Sequence, residues 1–341
     1  DYGAFEVLVI DNNTADAALW TPVQAHVATL PAHFRFFHLP QSTGYKAGAL
    51  RFAMEQTDAR TDLVAVVDAD YLVQSNWLRA LVGHFDDPQV AVVQAPQAHR
   101  NWAQNAWRTM MNWEYEGFFR IGMHHRNERD AIIQHGTMTL VRAQALQAVG
   151  GWSSATVCED AELGLRLMQA GHRTVYVDAV LGQGLTPDGF AAFKRQRQRW
   201  AQGGMQIFTL HARALLWPST PQGTEGLSAG QRYHFLAGWL PWLGDAVHLL
   251  FVFLACLWTA AVLIWPERLS WPTAAYLMPL MVFCAAKLVM GPLLYARRVP
   301  CTVWGSAGAA LAGLGLAPAV ARGVGHGLVS VRRAFSVHRT G

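Results

Sequence analysis

Short apolar runs alternate with segments of helical periodicity over the first half of the chain. Runs at 5–10, 34–38, 63–68, 90–95, 137–142 and 174–178 predict strands. Segments around 15–29, 44–57, 75–84, 102–127 and 159–170 predict helices. Strand, helix, strand at this spacing implies a mostly parallel α/β sheet flanked by helices, in which ligands bind beyond the carboxyl ends of the strands. Asp11 ends the first strand, and Asp68 and Asp70 end the third.

Beyond about residue 233 the pattern changes. Residues 246–265 contain no Asp, Glu, Lys or Arg, and residues 273–296 contain one, Lys287. Both stretches are long enough to span a bilayer, which takes about 20 residues of helix. A third stretch, 303–321, is rich in Gly and Ala and barely apolar enough. Arg297 and Arg298 follow the second span, whereas only Arg268 lies between the two. Positive-inside placement puts Arg297 and the α/β part in the cytoplasm. A third crossing would carry Arg332, Arg333 and Arg339 outside, so 303–321 is expected to be an interfacial helix. Lys287 within a span is expected to face a polar path, to snorkel or to pair locally. The organisation expected is an α/β domain over 1–215 and a membrane region over 216–341.

Composition agrees with this division. Of 341 residues, 52% are hydrophobic and 15% charged, and the apolar excess collects in the C-terminal part. The net charge of +4 would suit anionic partners, but no basic low-complexity run or nucleic-acid motif accompanies it. Nucleic acid is therefore not an expected partner. Cys158, Cys256, Cys284 and Cys301 are scattered, which excludes a disulfide framework and C-x-x-C zinc spacing and favours a reducing compartment. The chain opens at Asp1 directly before "FEVLVID", which reads as a cut within a domain, with no signal peptide.

Four motifs carry candidate chemistry. In "VVDADYL" two acids one residue apart, Asp68 and Asp70, leave an apolar strand on the same side. Two bare carboxylates this close repel, and Mg²⁺ or Mn²⁺ resolves the conflict by taking carboxylates together with substrate phosphates. A solvated loop is the plain alternative. A phosphorylated aspartate is another, but it would belong on the first strand of its domain. "GYKAGAL" sets Lys46 between glycines at a helix start, where amides and an ammonium can meet a phosphate or a base. "VCEDAELGLRL" starts a helix with Glu159 and Asp160, which are either partners of the helix dipole or a general base. In "KRQRQRW", on a helix expected over 188–211, Gln196, Arg199 and Trp200 share one face. An amide, a guanidinium and an indole there suit a pyrophosphate beside a sugar; a basic helix surface near a membrane is the alternative.

Asp11, Lys46, Asp68-x-Asp70, Glu159-Asp160 and Gln196-x-x-Arg199-Trp200, in this order and followed by apolar spans, resemble the processive family 2 membrane glycosyltransferases, the cellulose, hyaluronan and chitin synthases. "VIDNNT", "NERDAIIQHGTMTLVR", "VGGW" and "GQRYHFLAGWLPWLGDA" resemble bacterial β-1,3-glucan and cyclic β-glucan synthases in particular. The resemblance implies a GT-A-like catalytic domain, a UDP-sugar donor, a polysaccharide acceptor and polysaccharide-export partners. It implies a multi-pass protein of the bacterial inner membrane with its catalytic domain in the cytoplasm.

By the same resemblance Asp11 contacts uridine and Lys46 the uracil or diphosphate. Asp68 lies near the diphosphate, and Asp70 ligates the metal. Asp160, preceded by Glu159, is the catalytic base. Gln196 and Arg199 hold diphosphate or acceptor, Trp200 stacks on the terminal acceptor sugar, and His135, Gly136 and Thr137 border the acceptor pocket. The tail "RAFSVHRTG" is faintly similar to a gating loop over the nucleotide. Cys158 departs from the Thr of many relatives and reads as a packing substitution. The P-x-Y-N-E-type turn that helps seat uridine is missing, which makes activity an expectation for the parent chain. Transfer of one sugar to a polyprenyl phosphate and an inactive membrane scaffold are the alternative functions.

Overall fold

In the computed structural model, residues 2–217, 226–271 and 274–337 are described. The expectations for Arg339 and the end of the tail lie outside the described residues, as do the side chains of Lys287, Arg332 and Arg333. The strands are β1 (Val7–Asn12), β2 (Phe34–Leu39), β3 (Leu63–Val66), β4 (Leu72–Val73), β5 (Val90–Gln94), β6 (Ala98–His99), β7 (Thr139–Arg142), β8 (Arg173–Tyr176) and β9 (Gly182–Gly184). The helices up to residue 170 are α1 (Ala17–Val27), α2 (Tyr45–Gln56), α3 (Trp77–Val82), α4 (Ala106–Gly117), α5 (His124–Asn127), α6 (Ala143–Ala148) and α7 (Glu159–Gln169). Longer ones follow: α8 (Phe190–Leu216), α9 (Ala229–Ile264), α10 (Ala274–Ala285), α11 (Gly291–Arg298) and α12 (Val303–Val337).

The chain forms two units. Among the described residues, one holds 2–97, 130–183 and 226–227; the other holds 98–129, 184–217 and the described part of 228–337. This differs from a single cut near 215, because two segments of the expected α/β domain group with the C-terminal helices.

In the first unit β1 and β2 pair in parallel, from Val7 opposite Phe34 to Asn12 opposite Leu39. A second sheet has the order β3-β7-β5-β8. Here β7 runs antiparallel to both β3 and β5, while β5 and β8 are parallel. The α/β class is as expected, but this sheet is mixed. Residues 98–129 belong to the other unit, so β7 enters the sheet without the crossover helix that a parallel neighbour requires. All five residues of β5, "VAVVQ", are buried, as a central strand covered on both faces should be. Trp77, Leu81 and Phe85 pack on Val90 and Val93 of β5, on Met138 and Leu140, and on Leu181.

The third strand stops at Val66, two residues short of expectation. Asp68 to Tyr71 form a turn, closed by the Tyr71 amide donating to the Asp68 carbonyl at 3.0 Å. The two acids therefore owe their placement to a turn and not to strand alternation.

The second unit is helical. Helix α9 opens with a capping box in which Ser228 and Gln231 exchange hydrogen bonds of 2.9 and 3.1 Å. Its 36 residues include the expected span 246–265. Residues 274–298 are helical through a π-turn at Ala286–Met290. Residues 303–321, expected to form an interfacial helix, begin a single helix of 35 residues. Among the described residues, Ala229–Ile264 and Val303–Ser330 are the two helical stretches long and apolar enough to cross a membrane. Small residues hid the length of the second: Gly and Ala lower its hydropathy, yet they let it lie against α8.

Candidate active site

The first unit brings five of the expected site residues, Lys46, Asp68, Gly136, Thr137 and Asp160, to one place from strand ends and loops. Asp11 and His38 are register partners on β1 and β2, and His38 Nδ1 lies 2.7 Å from Asp11 Oδ2. The Thr14 hydroxyl donates to Asp11 Oδ1 at 2.7 Å, and the His38 ring stacks on Trp20 with centroids 4.1 Å apart. Just beyond β1, Asn13 bonds Ser42 twice: its Nδ2 donates to the Ser42 carbonyl at 3.0 Å, and its Oδ1 accepts from the Ser42 amide at 2.7 Å. This ties the end of β1 to the start of α2.

The glycines of "GYKAGAL" serve that junction. Gly44 has φ +86°, a left-handed conformation that glycine adopts without cost. A Cβ on Gly48 would come within 2.8 Å of Ser42 Oγ and would run into the Thr43 carbonyl.

Lys46 leaves this turn as a bridge. Its ammonium donates to Asp68 Oδ1 and, at 2.6 Å, to the Gly136 carbonyl. The Asp68 amide donates to Thr137 Oγ1 at 3.0 Å. Asp160, the second residue of α7, accepts from the Ala161 amide at 2.8 Å. A Cβ on Gly136 would stand 2.9 Å from Lys46 Nζ and 3.1 Å from Asp160 Oδ2. Lys46, Asp68, Gly136, Thr137 and Asp160, separated by up to 114 positions in sequence, thus meet at one place. Burial pushes the Asp160 carboxyl above the ordinary carboxylate range; the Ala161 amide and the Lys46 charge offset part of that rise.

Glu159 is the first residue of α7, and Asp70 is exposed at the turn after β3. Among the described residues no group of three or more His, Cys, Asp and Glu is arranged as a metal cage. Asp68 already carries the Lys46 ammonium. Asp70 and Asp68 are oxygen donors of the type a hard divalent ion takes, and two carboxylates would leave its other positions to a diphosphate and water.

Sequence reasoning missed Gln94. It is fully buried at the end of β5, and its amide group serves the loop that holds three expected residues. Gln94 Oε1 accepts from the His135 amide at 3.0 Å, while Nε2 donates to the carbonyls of Thr137 at 2.9 Å and Met138 at 3.2 Å. The available signal was a polar residue ending an otherwise apolar strand.

Gln196, Arg199 and Trp200 lie in the second unit, on α8. Gln196 Oε1 is buried with no partner among the described residues; Arg199 is exposed and Trp200 half-buried. Between them, Arg197 forms an ion pair with Glu114 of α4 and sits 4.5 Å from the centre of the Trp200 ring. It also lies 5.1 Å from the rings of Tyr115 and Phe193. Burial raises the Glu114 carboxyl against the opposing pull of Arg197. Neither Arg197 nor Glu114 was singled out in the sequence, because their pairing is non-local.

The fold defines the class first. The structure matches a mannosyltransferase of Pyrobaculum calidifontis, solved with GDP-Man and Mn²⁺, with a TM-score of 0.57 at 17% identity over 95% of this chain and 78% of that one. That likeness is to a GT-A-like α/β fold flanked by helices. The model of the glycosyl transferase family group 2 matches residues 63–288, and the chain belongs to that family. It is 27% identical over 267 residues to the Arabidopsis thaliana protein named "Probable glucomannan 4-beta-mannosyltransferase 1", covering 76% of this chain and 47% of that protein. It is 28% identical over 210 residues to the cellulose synthase 1 catalytic subunit (UDP-forming) of Komagataeibacter xylinus, covering 60% of this chain and 27% of that one. The chain thus spans less than half the length of these curated relatives.

Proposed function

We propose that this chain transfers glucose, with inversion, from UDP-glucose to a growing β-glucan at the cytoplasmic face of a bacterial inner membrane. Residues 1–215 serve as the catalytic domain, although 98–129 and 184–215 within it group with the C-terminal helices, and 216–341 serve as the membrane region. The observation that carries this reading is the bridge from Lys46 to Asp68 and Gly136 beside the half-buried Asp160. It puts a fixed positive charge and a carboxyl of raised proton affinity together at the strand ends.

In this reading Asp11 contacts the uridine, and Lys46 and Asp68 face the diphosphate. Asp70 and Asp68 would hold Mg²⁺ or Mn²⁺, which would supply positive charge against the leaving diphosphate. Asp160, preceded by Glu159, accepts the proton of an acceptor hydroxyl. That oxygen forms the bond to the anomeric carbon, and the bond to the diphosphate breaks with its electron pair leaving on UDP. Attack from the face opposite the diphosphate converts an α-linked donor into a β-linked product. Lys46 offsets charge growing on UDP. His135, Gly136 and Thr137 border the acceptor, Gln196 and Arg199 hold acceptor or diphosphate, and Trp200 offers its ring face to the terminal sugar.

The glucan assignment rests on the stretches resembling β-1,3-glucan synthases; the relatives named for glucomannan and cellulose synthesis support a polysaccharide acceptor. Membranes carrying the chain, given UDP-glucose and Mg²⁺, should yield a β-linked glucan, and EDTA should stop its formation. A single-sugar lipid as the only product would replace the polymer reading with transfer to a polyprenyl phosphate. Unchanged synthesis in EDTA would remove the metal role from Asp70.

A further inference from the structure

We propose that Gln94 is a positioning residue of the transfer site: its buried amide sets the loop through which Lys46, Asp68 and Asp160 are held together. The proposal rests on the reading of this place as the transfer site. Gln94 touches none of the three directly among its described hydrogen bonds. All of its bonds go to backbone: the Ala95 carbonyl at 2.8 Å, those of Thr137 and Met138, and the amide of His135.

Residues 135–138 precede β7 and run through Met138 in a left-handed conformation, φ +54°. A non-glycine residue persists there only where the surroundings over-determine it. The Ala95 amide donates to the Met138 carbonyl at 3.0 Å, so β5 and the Gln94 side chain clasp Met138 together. The same loop then serves the site. The Gly136 carbonyl accepts from Lys46, and the Thr137 hydroxyl accepts from the Asp68 amide. Gly136 has no Cβ where Lys46 and Asp160 approach. One amide side chain on a central strand therefore sets both the height of the Gly136 carbonyl and the placement of the Lys46 ammonium that bonds it.

The side chain's chemistry suits this task. An amide presents an acceptor and a donor pair at fixed geometry, and here both ends are used. Glutamate would face the carbonyls with a second acceptor. Methionine, of similar length, would remove the acceptor of the His135 amide and the donor to the Thr137 carbonyl in a buried place.

Two measurements on the full chain in membranes test the proposal. In the first, wild type, Gln94→Met and Val92→Ala are compared with UDP-glucose and Mg²⁺. Gln94→Met should lower kcat on the order of 10²-fold, the loss expected for a misplacement of about 1 Å. It should also move the acid limb of kcat to higher pH, because a loosened Gly136 and Lys46 stabilise the Asp160 carboxylate less. Val92→Ala, which truncates a buried side chain of the same strand, should leave that limb in place. Wild-type kcat and limb in Gln94→Met would overturn the proposal.

The second measurement, hydrogen exchange, needs no turnover. The amides of His135 and Asp68 should be protected in the wild type and should lose protection together in Gln94→Met. A His135 amide that exchanges freely in the wild type would overturn the positioning role, even where the transfer reading stands. Protected amides in a wild type that turns over no donor would sink the transfer reading and leave the clasp intact.

Discussion

Lys46 Nζ and Asp160 Oδ2 both border the space that a Gly136 side chain would fill: a Cβ there would lie 2.9 Å from the first and 3.1 Å from the second. A methyl group at that point must push the ammonium, the carboxyl or both. Gly136→Ala should therefore lower turnover by about 10²-fold, on the scale of a misplacement of about 1 Å, with folding retained. Steady-state kinetics on membranes checks this. Wild-type turnover would mean that Lys46 and Asp160 need not sit as they do.

The raised proton affinity of Asp160 sets a pH dependence. Its carboxyl titrates above the ordinary carboxylate value, chiefly through burial. A base must be ionised, so the acid limb of the rate profile should lie above the range of an exposed aspartate. Stability follows the opposite course. Between the unfolded and folded values the native state binds more protons, so stability falls as pH rises through that window. Asp160→Asn should remove this fall, which thermal unfolding at several pH values reads directly. A fall of the same size in the variant would assign it to another group.

The ion pair between Arg197 and Glu114 predicts an asymmetry. Glu114→Ala leaves a guanidinium, 11% exposed, without its carboxylate and should cost about 3–5 kcal/mol. Replacing both partners with apolar residues should recover most of that loss, since the desolvation of both charges disappears. Turnover should not recover, because Trp200 loses the cation 4.5 Å from its ring. Chemical unfolding in detergent and kinetics on membranes separate the two effects. Equal stability of the single and double variants would contradict the prediction.

Helix α12 meets α8 through glycines. A Cβ on Gly327 would lie 2.5 Å from the Gln202 carbonyl and 2.6 Å from Met205 Cβ, and one on Gly323 would strike the Gln198 carbonyl. Gly325, between them, has open space. Gly323→Ala and Gly327→Ala should lower the unfolding midpoint. Gly325→Ala should be neutral or stabilising by up to about 1 kcal/mol through helix propensity. The same response at all three positions would contradict this packing.

Much of the site was legible because its chemistry is carried by scarce residue types in short motifs. Lys46 is one of three lysines, and the pairs Asp68-x-Asp70 and Glu159-Asp160 interrupt apolar patterns at element ends. The hydrophobic period placed β1, β2, β5 and β8 to within two or three residues. It could not show that β7 runs antiparallel, because direction depends on where the chain has been since β5. The turn at Asp68–Tyr71 was hidden for a related reason: an apolar run shows where a strand is possible, while its end is set by pairing. Gln94, Arg197 and Glu114 act mainly through partners 41 to 83 positions away, and no local pattern marks such partners. The glycines of α12 looked like weak hydropathy until α8 lay against them.

UDP release from UDP-glucose by wild type and Asp160→Asn, side by side in membranes with Mg²⁺ and with UDP binding measured on both, tests the central claim most directly. The account predicts release by the wild type and a loss of about 10²- to 10⁴-fold in the variant, the range for a general base, with binding of UDP retained. Near-normal release by Asp160→Asn, or none from a folded wild type with any UDP-hexose, would contradict it.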